Sequence, residues 1–217
     1  MAIASTLTLT SGTTERDRLE SKYRKFLVSR AVLRPLVTYV PNKSLPIYNW
    51  FRYKEAFSRK LVELILSEWN IDRDTLLFDP FAGCGTTLLA AKDLGYHACG
   101  IDILPVSVFV TTVKLEDSYD FSVLCKEIER LEGLRIRDTQ SRMPEVAIVD
   151  KAFPAATQRE LLFYRDAIAE RKSPYREFLL LGLLSILEEV SLTSKDGQFL
   201  RIVEKKIPPV HKALFPR

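Results

Sequence analysis

Two aspartates and two glycines carry the chemistry most legible in this chain. In Asp79-Pro80-Phe81-Ala82-Gly83-Cys84-Gly85-Thr86-Thr87 the first acid directly follows the apolar run Leu76-Leu77-Phe78. The helix-like run Leu88-Leu89-Ala90-Ala91-Lys92-Asp93-Leu94 comes next, and a second apolar run, Ala98-Cys99-Gly100-Ile101, stops at Asp102. The order is strand, glycine turn, helix, strand, acid, the front half of a nucleotide-binding α/β domain. Gly83 and Gly85 let a ligand approach the backbone closely, at a helix start whose first amides need partners.

Three ligand classes use such a turn. A dinucleotide fingerprint needs a third glycine where Leu88 stands, and leucine would obstruct close helix–strand packing. A phosphate loop needs Gly-Lys-Ser/Thr, and Gly85-Thr86-Thr87 has no lysine. The remaining class is S-adenosylmethionine, which has no diphosphate but carries an ammonium, a carboxylate and a sulfonium. Asp79, at a strand end before the glycines, suits the cationic methionine end and would repel a diphosphate. Asp102 is expected at the tip of the second strand, where it can accept both ribose hydroxyls. The competing reading makes these acids a helix cap and a turn residue. Both acids and both glycines occurring in one register favours the ligand.

The tract Leu77–Ala91, with Leu94-Gly95 and Gly100-Ile101-Asp102-Ile103, resembles the cofactor motif of DNA amino-methyltransferases. These enzymes methylate the exocyclic nitrogen of cytosine (N4) or adenine (N6). Upstream, Tyr53-Lys54-Glu55-Ala56-Phe57-Ser58, followed by Leu61-Val62, resembles the accompanying motif that closes over the methionine end. The resemblance covers about Trp50 to Lys114. It implies a Rossmann-like class I methyltransferase fold of the α/β class, S-adenosylmethionine as cofactor and DNA as partner. It further implies direct methyl transfer, with no metal and no covalent enzyme intermediate. By this resemblance Asp79, Phe81, Gly83 and Gly85 would line the methionine and sulfonium region, with Pro80 and Thr86 completing the motif. Asp102 would bind the ribose, Ile103 would pack on adenine, and Phe57 and Ser58 would sit near the methionine carboxylate. Lys54 is a lesser candidate.

Catalysis in that family needs [Asp/Asn/Ser]-Pro-Pro-[Tyr/Phe/Trp]. The polar residue and a proline carbonyl accept the amino hydrogens, and the aromatic ring stacks on the flipped base. Here Ile207-Pro208-Pro209-Val210 is the only Pro-Pro. Isoleucine has no side-chain acceptor and valine cannot stack, so this tract is expected to be a rigid extended tail. No catalytic residue is assigned. The sheet also looks incomplete for the fold. The expectation is therefore the cofactor-binding half of a divided enzyme, or a fragment, in a restriction-modification setting. A second polypeptide would carry the tetrapeptide and the remaining strands, and an open sheet edge would seek that partner. Three alternatives stay open: an RNA guanine-N2 methyltransferase, a non-catalytic cofactor-binding scaffold, and a small-molecule methyltransferase.

Elements on either side must position this centre. A tail and an N-terminal helix with a Pro-containing connector are expected over 1–46, the Rossmann-like core over 47–150, and a helical segment with a basic tail over 151–217. The N-terminal part divides into a frayed stretch to about Thr13, an amphipathic helix over Glu15–Val32, and an extended connector at Pro35, Pro41 and Pro46. Helices are expected over Glu55–Trp69, from Pro105 to Val113, Phe121–Leu131, Thr157–Arg171 and Pro174–Leu192. Arg135–Pro144 reads as a loop, and Glu145–Val149 and Phe199–Val203 as short strands. The 217 residues are 47% hydrophobic, enough for a buried core, and carry a formal charge of +4. Cys84, Cys99 and Cys125 show neither metal nor disulfide spacing, which points to a reducing, cytoplasmic setting. No membrane span is expected. Arg16, Arg18, Lys22, Arg24, Lys25, Arg30 and Arg34 are interleaved with Glu15, Asp17 and Glu20 and read as a solvated face. Lys195, Arg201, Lys205, Lys206, Lys212 and Arg217 are less diluted by acids and could contact DNA phosphates.

Overall fold

A computed structural model describes residues 14–26, 28–196 and 199–216. The expected frayed start, Leu27, Gly197 and Arg217 lie outside the described residues. The chain divides into two compact units, Met1–Arg34 and Pro35–Arg217.

In the first unit, α1 (Glu15–Tyr23) begins at a capping box. The Thr14 hydroxyl accepts the Asp17 N–H at 3.2 Å, and the Asp17 carboxylate accepts the Thr14 N–H at 2.8 Å. The expected amphipathic helix to Val32 is corrected here. α1 stops at Tyr23, a 3-10 turn follows at Arg24–Phe26, and Leu19, Tyr23 and Phe26 are all exposed. A helix this short, burying no apolar face, has little to drive its extension.

In the second unit the expected extended connector is instead wound into 3-10 helices at Val40–Ser44 and Tyr48–Trp50. Proline fixes φ near the value a helical turn also uses, so Pro41 starts one of these turns as readily as it would an extended segment. Ser58 then caps α2 (Arg59–Glu68), which buries Val62 and Leu66 and leaves Trp69 in solvent. β1 (Leu76–Asp79) and β2 (His97–Gly100) pair in parallel, Leu76 opposite His97 and Asp79 opposite Gly100. The crossover a parallel pair requires is α3 (Thr86–Leu94). Leu77 packs with Val62, Leu66 and Ala90 under α2 and α3. The opposite face of the sheet is bare: Leu76 is 62% exposed and Phe78 58%.

α4 (Pro105–Leu115) follows β2, and its Val110 and Val113 join Tyr39, Ala56, Cys84 and Leu181 in a second core. The largest core is mainly helical. It is built by α5 (Phe121–Glu132), α7 (Ala155–Ala169), α8 (Tyr175–Ser185) and α9 (Val210–Leu214), around Leu131, Tyr164, Ile168 and Val190. The expected strand at Glu145–Val149 is a short helix, α6 (Ala147–Ala152), with Ala152 buried. Its β-branched residues have strand propensity, but the segment is committed by burying Ala152 and packing Phe153 on the helical core, and tertiary context decides. The helix expected to reach Leu192 ends at Ser185. β3 (Thr193–Asp196) and β4 (Phe199–Ile202) form a separate antiparallel pair, placing a strand where Phe199–Val203 suggested one. The Pro-Pro tract is not an extended tail throughout: Pro209 leads into α9, Val210 is fully buried, and His211 Nδ1 lies 2.6 Å from the Tyr164 hydroxyl. The described architecture is thus mixed α/β, with small sheets among many helices.

The helical core sets stability. Leu131→Ala, at a fully buried site, should cost about 2–5 kcal/mol in urea unfolding. Phe121→Ala, at a residue 77% exposed on the same helix, should stay within about 0.5 kcal/mol.

Candidate cofactor site

The glycine turn is held from three sides. Asp79 closes β1 and turns its own carboxylate back onto the Phe81 N–H at 3.0 Å. Ala82 donates to the Ile101 carbonyl at 3.0 Å, and Ile101 donates to the Asp79 carbonyl at 3.0 Å, so the turn continues the pairing of β1 with β2. Asp102, just beyond β2, accepts the Gly83 N–H at 2.8 Å and the Leu104 N–H at 2.9 Å. These amides, Leu104 first and Gly83 second, hold its carboxyl below the usual carboxylate range.

The third side is α4. The Thr111 hydroxyl donates to the Gly83 carbonyl at 3.1 Å. One helical turn on, the buried Lys114 ammonium donates to the carbonyls of Tyr48 at 3.2 Å and Cys84 at 3.5 Å. Gly85 has φ +79°, and a Cβ there would lie 2.7 Å from Thr111 Cγ2. Gly100 lies beneath α3, where a Cβ would fall 2.8 Å from Leu88 Cδ1.

Between this turn and the upstream segment lies a cavity of about 220 Å³. Tyr53, Phe57, Phe81, Gly83, Thr86 and Asp102 line it, so five of the sequence-derived candidates meet at one opening. The other candidates lie outside that lining. Ser58 is fully buried, and its hydroxyl accepts the Lys60 N–H at 3.2 Å, so it caps α2 instead of facing the cavity. Gly85 faces Thr111, Pro80 is exposed, Asp79 braces the turn, and Ile103 is 92% exposed beyond Asp102. Lys54 stands 3.8 Å from Glu188. Sequence reasoning missed Thr111 and Lys114. The available signal was their spacing, which puts both on one face of a helix together with Ser107, among the apolar Val110 and Val113. Among the described residues no group of three His, Cys, Asp or Glu side chains could hold a metal ion. Nor is any of their helices long and apolar enough to cross a membrane.

Comparison with known proteins places the sequence among DNA methyltransferases. Residues 17–108 match the family described as DNA methylase. The chain is 38% identical over 194 residues to the type II methyltransferase M.BsoBI of Geobacillus stearothermophilus, covering 86% of this chain and 38% of that protein. It is 32% identical over 195 residues to the type II methyltransferase M.AvaI of Nostoc sp., covering 84% and 39%. A shorter match, 38% over 74 residues, links it to the type II methyltransferase M.MjaII of Methanocaldococcus jannaschii, covering 34% of the chain and 14% of that protein. The chain spans 38–39% of the length of the first two relatives. No solved structure matches.

The α4 brace yields two expectations. Thr111→Val keeps the shape and removes the hydroxyl, so it should cost about 1 kcal/mol of stability, and Thr111→Ser should recover most of it. Burial pushes the Lys114 ammonium below the usual lysine range, the carbonyl contacts notwithstanding. Between that lowered value and the ordinary 10.5 the folded chain binds fewer protons than the unfolded chain, so stability rises with pH. Urea unfolding across that window should show the wild type gaining on Lys114→Met as pH climbs. A difference that stays flat would refute a buried charge.

Proposed function

This chain is a relative of the DNA amino-methyltransferases, its residues 17–108 falling in the DNA methylase family, and on that premise we propose that it forms their S-adenosylmethionine-binding part. The target is the exocyclic amine of cytosine N4 or adenine N6 in DNA, and the setting is that of a type II methyltransferase, the class named for its relatives. The observation that carries this reading is the joint placement of Asp102, Gly83, Thr86, Phe57 and Phe81 around one cavity.

The donor set fits a nucleoside with a cationic side chain. An ionised carboxylate offers about four lone-pair directions. Asp102 spends two on backbone amides and keeps the rest for the two hydroxyls of a ribose. Because the amides fix its orientation, it binds without first having to be ordered. Phe57 and Phe81 supply apolar walls, and Tyr53 lies against the turn, its Cε1 3.4 Å from where a Gly83 Cβ would be. Asp79, Pro80, Gly85 and Ile103 belong to the same reading as the frame and rim of the site. Ser58 belongs to it as the cap that orients α2 behind Phe57. The bound cofactor supplies a sulfonium methyl; this chain holds and orients it. The acceptor tetrapeptide and the remaining strands of a Rossmann-like sheet belong, on this reading, to sequence outside these 217 residues, whether continuous with them or on a second polypeptide. Two facts support that assignment. The relatives are much longer than this chain, and one face of the β1–β2 sheet is bare, whereas parallel sheets are ordinarily covered on both faces.

Isothermal titration with S-adenosylmethionine tests the reading. The wild-type chain should bind it in preference to NAD and ATP. Asp102→Asn should weaken binding by about 10- to 100-fold, the usual worth of hydrogen bonds to a charged group. Ser58→Ala should cost about 1 kcal/mol of stability with little change in affinity. Preference for NAD or ATP, or unchanged affinity in Asp102→Asn, would overturn it.

A further inference from the structure

A larger concavity, of about 470 Å³, lies in the helical part of the second unit, between the end of α5, the segment after it and α7. Arg130, Arg135, Arg137 and Arg171 line it, against Asp166 and Glu170. The acids are partly spent: Asp166 is bound by Arg165 at 2.9 Å and by the Ser141 hydroxyl at 2.9 Å. Arg171 is spent too. It is buried, with Nε on the Ala167 carbonyl at 3.1 Å and Nη1 3.5 Å from Glu127. The remaining three guanidinium groups are exposed, and among the described residues none of them has a salt bridge or hydrogen-bond partner. One has a local reason to be there. Arg130 sits in the last turn of α5, where a helix end carries about half a negative charge. Arg135 and Arg137 lie past that end, and the α5 terminus with the Glu170 carboxylate on the same lining offsets only part of the three charges.

The arginines are also held in place. Leu134, Ile136 and Met143 pack against the helical core, so burial alternates along the segment and puts Arg135 and Arg137 on the solvent side. Asp138 reaches Arg159 at 3.8 Å, and Ser141 ties the loop to α7. A tethered row of cations loses little freedom on binding. In the late basic cluster Lys205 is already employed: its ammonium donates to the carbonyls of Glu188 and Thr193, each at 2.9 Å.

From this placement we infer that Arg130, Arg135 and Arg137 form a contact surface for the phosphate backbone of the DNA substrate. The inference rests on the reading of the chain as part of a DNA methyltransferase. A guanidinium forks two N–H donors onto phosphate oxygens. For exposed cations a lone phosphate in water offers little, whereas a polyanion releases condensed counterions for each charge neutralised. Such contacts fix register and orientation without reading sequence.

The test is a salt series of fluorescence anisotropy on the 217-residue chain with a labelled DNA duplex. Wild type, Arg130→Ala/Arg135→Ala/Arg137→Ala, the corresponding triple lysine variant and Lys206→Ala/Lys212→Ala would be compared. The alanine triple should lower the slope of log K against log salt by about 2–3, at about 0.9 for each phosphate it no longer neutralises. The lysine triple and the tail variant should keep the wild-type slope. A wild-type slope in the alanine triple overturns the inference. So does the absence of wild-type binding at about 50 mM salt, where phosphate binding of this kind is strong. Displacement of the duplex by inorganic phosphate at matched ionic strength also overturns it, since the site would then serve a discrete anion. Titration of the same proteins with S-adenosylmethionine separates the two readings. A chain that binds duplex through the arginines but not the cofactor keeps the surface and loses the proposed function; the reverse pattern does the opposite.

Discussion

One carboxylate, that of Asp102, holds two backbone segments in a fixed relation. It accepts the amide of Gly83 in the glycine turn and that of Leu104 at the entry to α4. The turn needs this support. Gly83 at φ +52° and Gly85 at φ +79° occupy left-handed conformations that other residues rarely adopt. Asp102 grips the turn by an amide, while Thr111 and Lys114 grip it by its carbonyls. The two grips act on opposite polarities of the same few peptide groups, and together they set one wall of the cavity. Lys114 reaches further, to the carbonyl of Tyr48, and so ties that wall to the segment leading into the other.

The strand–turn–helix–strand unit was legible because its determinants are local. An apolar run, two glycines and a helix-forming stretch fall in an order that few folds share, and the structure starts and ends these elements within a residue or two of where the pattern puts them. Ser58 was legible as a residue near a helix start, but not as a cap withdrawn from the cavity, which depends on how α2 is seated. The elements that resisted reading depend on distant partners. Val146, Ile148 and Val149 have the composition of a strand, yet the segment forms a helix whose end is held from a distance, Ala152 being buried and its carbonyl accepting the Leu192 N–H. Lys114 looks like an ordinary charged residue near a helix end. Its burial is decided by carbonyls 66 and 30 positions away, which no window along the chain contains.

The same distinction separates the two basic regions. The late lysines and arginines stood out by density in the sequence, while Arg130, Arg135 and Arg137 are diluted by Leu134, Ile136 and neighbouring acids. Packing sorts them: the apolar residues between the arginines turn inward and leave the cations together on one rim. Charge density along a chain and charge density in space are different quantities, and an alternating segment anchored to a core can have much more of the second than of the first.

The uncovered side of the β1–β2 pair has one more consequence. Cys99 lies on it, opposite Phe78, and its thiol is exposed, whereas Cys84 is buried and Cys125 is half-buried. The bare surface therefore carries its own chemical reporter. Alkylation at that sulfur would be fast while the face is open and slow once it is covered, so the occupancy of this surface can be followed by mass spectrometry without introducing a label.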